Sequence, residues 1–135
     1  MAIQFSVAVR NARLDAIETA IGTSAVLKIR TGSAPANVAT ADSGTVLATL
    51  NLPSDWMAAA SSGAKALSGS WSDSSADATG TAAHFRIYAS DGTTAHMQGT
   101  VTATSGGGDM EVQNTSFTSG QAFSVTAFTL TDGNQ

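Results

Sequence analysis

Ala83-His84-Phe85-Arg86-Ile87-Tyr88-Ala89, then Ser90-Asp91-Gly92-Thr93, then Thr94-Ala95-His96-Met97-Gln98-Gly99-Thr100-Val101-Thr102 is the stretch on which the fold turns. Ala83, Phe85, Ile87 and Ala89 alternate with His84, Arg86 and Tyr88, and Ala95, Met97 and Val101 alternate with polar neighbours. Period-two alternation on either side of an Asp-Gly turn is a β-hairpin. Pairing Ala83 with Val101, Phe85 with Gly99 and Ile87 with Met97 keeps the large apolar residues on one face, whereas a slip of one residue sets His96 opposite Ile87. That register requires an odd loop or a bulge near Asp91 to Thr93, with Gly92 as the left-handed residue. It also predicts a buried Phe85 and an exposed His84.

Further strands follow from the same period. Leu27 and Ile29 alternate with Lys28 and Arg30; Val46, Ala48, Leu50 and Leu52 alternate with Leu47, Thr49 and Asn51; Leu67, Gly69 and Trp71 alternate with Ser68 and Ser70. Turn formers such as Thr31-Gly32-Ser33-Ala34-Pro35 and Pro53 close them. After the Gly106-Gly107-Gly108 break come a short strand from Met110 to Asn114 and a final one from Ala122 to Thr131. In the last, Phe123, Val125 and Ala127 share one parity and Phe128 and Leu130 the other, so either a bulge lies near Ala127 or both faces are covered. Residues 54–60 read as one helical turn capped by Ser54 or Asp55.

One longer helix is readable near the start. Ser6 is its N-cap, Val7, Leu14, Ile17 and Ile21 form a stripe opposite Arg13, Asp15 and Glu18, and Gly22 stops it. A rival reading makes Ile3, Phe5 and Val7 a strand ahead of a shorter helix. Seven short strands and one N-terminal helix over residues 6–21 predict a mainly β, single-domain antiparallel sandwich or jelly roll spanning residues 1–135.

Composition narrows function. Ala, Thr, Ser and Gly number 25, 18, 17 and 13 among 135 residues, beside 16 charged side chains and no cysteine. Titratable clusters are hard to build from so few groups, which argues against a conventional active site. A net charge of −4 without a basic stripe argues against nucleic-acid binding. The first residues lack the basic region of a secretory signal, and no run approaches the length of a membrane span. So the chain reads as an exposed surface module whose thin core is completed by neighbouring subunits.

The search for chemistry returns candidates that fail one by one. His84 and His96 fall on the polar face about 13 Å apart, too far to share a metal. Asp73, Asp77 and Asp91 lack calcium-loop spacing and read as turn residues. No G-x-S-x-G elbow accompanies the serines, and Gly106-Gly107-Gly108-Asp109 lacks the Lys and Ser or Thr of a phosphate loop. Trp56, Trp71 and Tyr88 are the aromatic residues from which a sugar platform would be made, with Trp71 reading as core. The expectation is no catalytic residue, no metal and no cofactor.

The segments Phe5-Ser6-Val7-Ala8-Val9-Arg10-Asn11-Ala12-Arg13-Leu14-Asp15-Ala16-Ile17-Glu18, Leu27-Lys28-Ile29-Arg30-Thr31-Gly32, Leu50-Asn51-Leu52-Pro53, Phe85-Arg86-Ile87-Tyr88, Met97-Gln98-Gly99-Thr100-Val101 and Phe128-Thr129-Leu130-Thr131 together resemble a family of small proteins of tailed bacteriophages and prophages. The resemblance covers nearly the whole chain and brings no catalytic residue with it. It implies a virion structural protein, assembled in the host cytoplasm, most simply a capsid decoration or cement protein. The partners it implies are the major capsid protein and further copies of the chain, with neither nucleic acid nor membrane. The alternative is a neck, tail or fibre component, including a module for host glycans.

Overall fold

In the computed structural model, which describes residues 3–133, the hairpin has the expected pairing. Its strands are β6 (His84–Tyr88) and β7 (Ala95–Ala103), with Phe85 opposite Gly99 and Ile87 opposite Met97. The register shifts after Ile87, so that Tyr88 pairs with Ala95 and His96 is the extra, exposed residue. The bulge therefore lies in the second strand rather than in the turn. Gly92 takes φ +69°, and Asp91 Oδ1 accepts from the amides of Thr93 and Thr94, both at 2.8 Å. The Phe85 ring lies over Gly99, where an added Cβ would sit 2.7 Å from Cε1, so the close crossing needs glycine.

Around the hairpin are β1 (Val26–Arg30), β2 (Val46–Asn51), β3 (Ala64–Ala66), β4 (Ser72–Asp73), β5 (Gly80–Thr81), β8 (Met110–Val112), β9 (Ser116–Phe117) and β10 (Phe123–Thr131). An eight-stranded sheet runs β2-β1-β6-β7-β8-β10-β3, with β4 also on β10, while β5 and β9 form a separate ribbon. The chain is thus mainly β and sandwich-like, with one helix among the described residues. It is not purely antiparallel: β7 and β8 are parallel, Val101 pairing with Met110. Residues 104–109 double back along β7 to make this possible, held by Gly108 N to Thr102 Oγ1 at 3.0 Å and by Asp109 Oδ2, which accepts from Thr100 N at 2.8 Å. The bulge expected near Ala127 is present, between Val125 and Ala127.

The sheet bends until β4 lies against β2, and its concave faces share one core. Leu27, Ile29, Phe85 and Ile87 enter from one side, Trp56, Trp71 and Phe128 from the other. Phe85 meets Phe128 edge to face at 5.5 Å, and Trp71 lies 5.4 Å from Phe128. Apolar burial of this kind is the main favourable term in the fold. Two local expectations fail. Residues 54–60 are not helical: Met57 pairs with Leu67 and Ala58 N donates to Ala66 O at 2.9 Å, because Trp56 and Met57 both reach the core. Nor does a strand run from Leu67 to Trp71, since Gly69 at φ +69° turns the chain before β4.

Helix α1 (Val7–Ile21) begins at Ser6, whose Oγ accepts from Val9 N at 3.3 Å, and ends at Gly22. Residues 3–6 form no strand. The expected stripe holds at Leu14, Ile17 and Ile21, which pack inward, but the charged residues expected opposite it do not all stay outside. Leu14 and Ile21 are buried, but so is Arg10, Asp15 and Glu18 turn inward, and Val7 stays 47% exposed. The cause is Lys65 at the centre of β3, whose ammonium points at the helix and draws both carboxylates to it.

Candidate functional site

Three regions stand out, two polar and one apolar. The first lies under the loop 31–45. On the convex face of the sheet, Lys28 is directly opposite Arg86 and Arg30 opposite His84, a crowding of cations that is unfavourable by itself. The loop supplies the remedy. Asp42 bonds Arg86 through Oδ1 and Arg30 Nη2 through Oδ2 at 2.7 Å, and it accepts from Tyr88 OH at 2.8 Å. Arg86 donates further to the carbonyls of Val38 at 2.8 Å and Thr40 at 3.0 Å, and Gln98 Nε2 donates to Pro35 O at 2.7 Å. Burial works against the ionised form of Asp42, yet the bonds from Arg86 and Tyr88 and the charge of Arg30 hold its carboxyl below the ordinary 3.8. Burial, reinforced by the bond to Asp42, raises the Tyr88 phenol.

His84 belongs to this layer and is a correction. It was expected on a solvated face but is 1% exposed, its Nδ1–H donating to Gly32 O at 2.6 Å. The alternation holds along β6, and the convex face is covered as well. All five residues of β6 are buried.

The second surface joins α1 to β3. Lys65, 2% exposed, gives its three protons to Asp15 Oδ1 at 2.8 Å, Glu18 Oε2 at 2.9 Å and Ala58 O at 2.9 Å. The helix side chains also serve as acceptors for an unpaired backbone edge: Glu18 takes Met57 N at 3.1 Å, Asp15 takes Ala60 N at 2.9 Å and Asn11 takes Gly63 N at 2.9 Å. Arg10 crosses so near Gly63 that a Cβ there would clash with Nη1, and φ +74° at Gly63 disfavours other residues as well. The bond to Lys65, and then that from Ala60, lower the Asp15 carboxyl, while the pair of carboxylates outweighs burial and raises the Lys65 ammonium above 10.5.

What this docking leaves outside is the third surface. Val7, Ala8, Val9, Ala12, Ala16 and Ala20 are exposed on α1, and the one charged side chain among them, Arg13, is drawn over the Phe5 ring at 4.9 Å and to Asp132 at 3.2 Å. The inward face thus mixes Leu14, Ile17 and Ile21 with Arg10, Asp15 and Glu18, and the outward face is mostly small apolar residues. Most surface helices carry their charges on the outward face.

The remaining sequence candidates are dispersed. Among the described residues no group of three or more His, Cys, Asp and Glu could hold a metal ion. His84 and His96 sit at opposite ends of the hairpin; Asp73 caps Ser75 N at 3.0 Å, Asp77 accepts from Thr49 Oγ1 at 2.9 Å on the edge of β2, and Asp91 closes the turn. Trp56, Trp71 and Tyr88 offer no sugar platform, being 0%, 1% and 0% exposed. Sequence reasoning missed the layer around Asp42 and the clip around Lys65, since neither has a local spacing to mark it. No family of known proteins, no curated protein and no solved structure matches the chain.

Proposed function

We propose that this chain is a non-enzymatic structural protein of a tailed-phage virion, a decoration or cement subunit that binds the assembled capsid and holds neighbouring capsid subunits together. The observation that carries the reading is the outward face of α1. On this face Ala8, Val9, Ala12, Ala16 and Ala20 are exposed without a free charge, a surface suited to burial against a protein partner, because long charged side chains are depleted from interface cores. The resemblance to small phage proteins points to the virion as the place where such a partner is found. A subunit that binds only the finished shell stabilises it by mass action, and many copies multiply the effect.

The test is Ala12→Glu with Ala16→Glu. Both positions are exposed, so the fold should persist with circular dichroism and melting temperature close to wild type. Purified capsids lacking the protein should take up wild type in a regular lattice visible by electron microscopy and should not take up the double variant. A ring of copies at the neck or a few at the tail tip would move the protein from the head to those parts. Equal uptake of the double variant would exclude the helix as the docking face.

A further inference from the structure

We propose that a groove over β4, β8, β9 and β10 binds a neutral oligosaccharide. The proposal goes beyond the structural reading above and does not depend on it. The groove consists of two adjoining clefts, about 450 Å³ and about 330 Å³, which share Gln113, Ala122 and Phe123. Each lies in or near the size range of small-molecule sites, and their contiguity suits a ligand of at least two rings. Paired strands supply part of the wall, with Phe123 opposite Asp73 and Ser124 opposite Ser72, while Gln113, Asn114, Gln121 and Ser74 come from the connecting segments.

The chemistry of the walls selects the ligand. Gln113, Asn114, Ser116 and Gln121 line the larger cleft, and Ser72, Asp73, Ser74 and Ser124 the smaller. With no Lys, Arg or His among these groups, nothing recognises a phosphate or carboxylate. One carboxylate among amides and hydroxyls is too few for a divalent cation. Amides carry donors and acceptors side by side, which matches the vicinal hydroxyls of a sugar. Three of the walls are also fixed in advance by one atom each. Asn114 Oδ1 accepts from Ser116 N at 2.9 Å, Gln121 Oε1 from Thr118 N at 3.1 Å, and Asp73 Oδ1 from Ser75 N at 3.0 Å. That leaves Asn114 Nδ2, Gln121 Nε2 and Asp73 Oδ2 for a ligand, at little cost in side-chain entropy. Beneath the larger cleft Phe117 and Phe123, their centroids 4.9 Å apart, are 3% and 8% exposed and belong to the core, so recognition falls to the polar walls.

The experiment is a titration of the full-length ¹⁵N-labelled protein, followed by NMR, with chitohexaose, maltohexaose and mannohexaose. Sialyllactose and a Gly-Ser decapeptide serve as comparators. At least one hexaose should shift the side-chain amide signals of Gln113, Asn114 and Gln121 and the backbone signals of residues 72–74, saturating with Kd on the order of 1 mM. Gln113→Ala and Asp73→Ala should each weaken binding about tenfold while the rest of the spectrum is unchanged, a loss of about 1.4 kcal/mol. The proposal is overturned if none of the three hexaoses gives a saturable shift at these residues, or if both substitutions leave the shifts intact. It is equally overturned if sialyllactose or the peptide perturbs the groove as strongly as the best hexaose.

Discussion

Asp42 is the side chain on which the convex face depends. Two guanidinium groups, 2% and 7% exposed, share its carboxylate. Removing that charge leaves both cations buried without a counter-ion, so Asp42→Asn should destabilise the protein by about 3–5 kcal/mol in urea unfolding. The pH dependence has a definite sign. A carboxyl held below its ordinary 3.8 contributes stability that is complete above that value and is lost as pH falls through the folded-state value. Wild type should therefore lose stability below about pH 4 more steeply than Asp42→Asn, which has no proton to take up at that position. The hairpin gives a second contrast. Phe85→Ala removes a ring from the centre of the core and should cost about 3–5 kcal/mol. His84→Ala should cost about 1–3 kcal/mol, more than an ordinary surface change, because it empties the space of a ring that is 1% exposed and removes its bond to Gly32 O. A cost for His84→Ala within about 0.5 kcal/mol would mean that loop 31–45 does not seal that face.

The helix is attached by charge as much as by apolar area, and the two sides of the attachment are unequal. Asp15 retains access to water, its side chain 47% exposed, whereas Lys65 is sealed at 2%. Lys65→Met should consequently cost less than removing the carboxylates, since Asp15 can turn to solvent and methionine fills the space of the lysine stem, while Glu18, 17% exposed, keeps its bond from Met57 N. Asp15→Asn with Glu18→Gln should cost about 3–5 kcal/mol, because a buried ammonium then lacks its counter-charges. An ammonium whose pKa is raised above 10.5 stabilises the folded chain fully below that value and ceases to do so as pH rises through the folded-state value. Trp56 reports the event, its indole Nε1 donating to Gly22 O at 3.1 Å at the end of α1. Its fluorescence should change above about pH 10.5 before the near-ultraviolet dichroism of the sheet is lost, and this early step should be absent in Lys65→Met.

Protection should follow the layering of the molecule. β1 and β6 are covered on both sides, by the core and by the loop 31–45, so the amides of Leu27, Ile29, Phe85 and Ile87 should fall in the slowest class of native-state hydrogen exchange. Those at the exposed start of α1 should fall in the fastest. A uniform rate across both would contradict the assignment of the convex face as interior. Much of this arrangement was legible in the chain alone. The hairpin register from Phe85 to Gly99, the cap at Ser6, the stop at Gly22 and the bulge before Ala127 all obey rules that act over a few residues, where side-chain alternation and backbone hydrogen-bonding leave little choice. The inward turn of Asp15 and Glu18, the burial of His84 and Arg86, the parallel step from β7 to β8 and the meeting of residues 72–74 with 113–124 in one groove had no such signature. Each depends on a distant segment arriving on a particular face: Lys65 under the helix, Asp42 over the two arginines, β10 beside β4 and β8. Alternation shows which side chains share a face of a strand, but long-range packing determines whether that face meets water or another layer of the same chain.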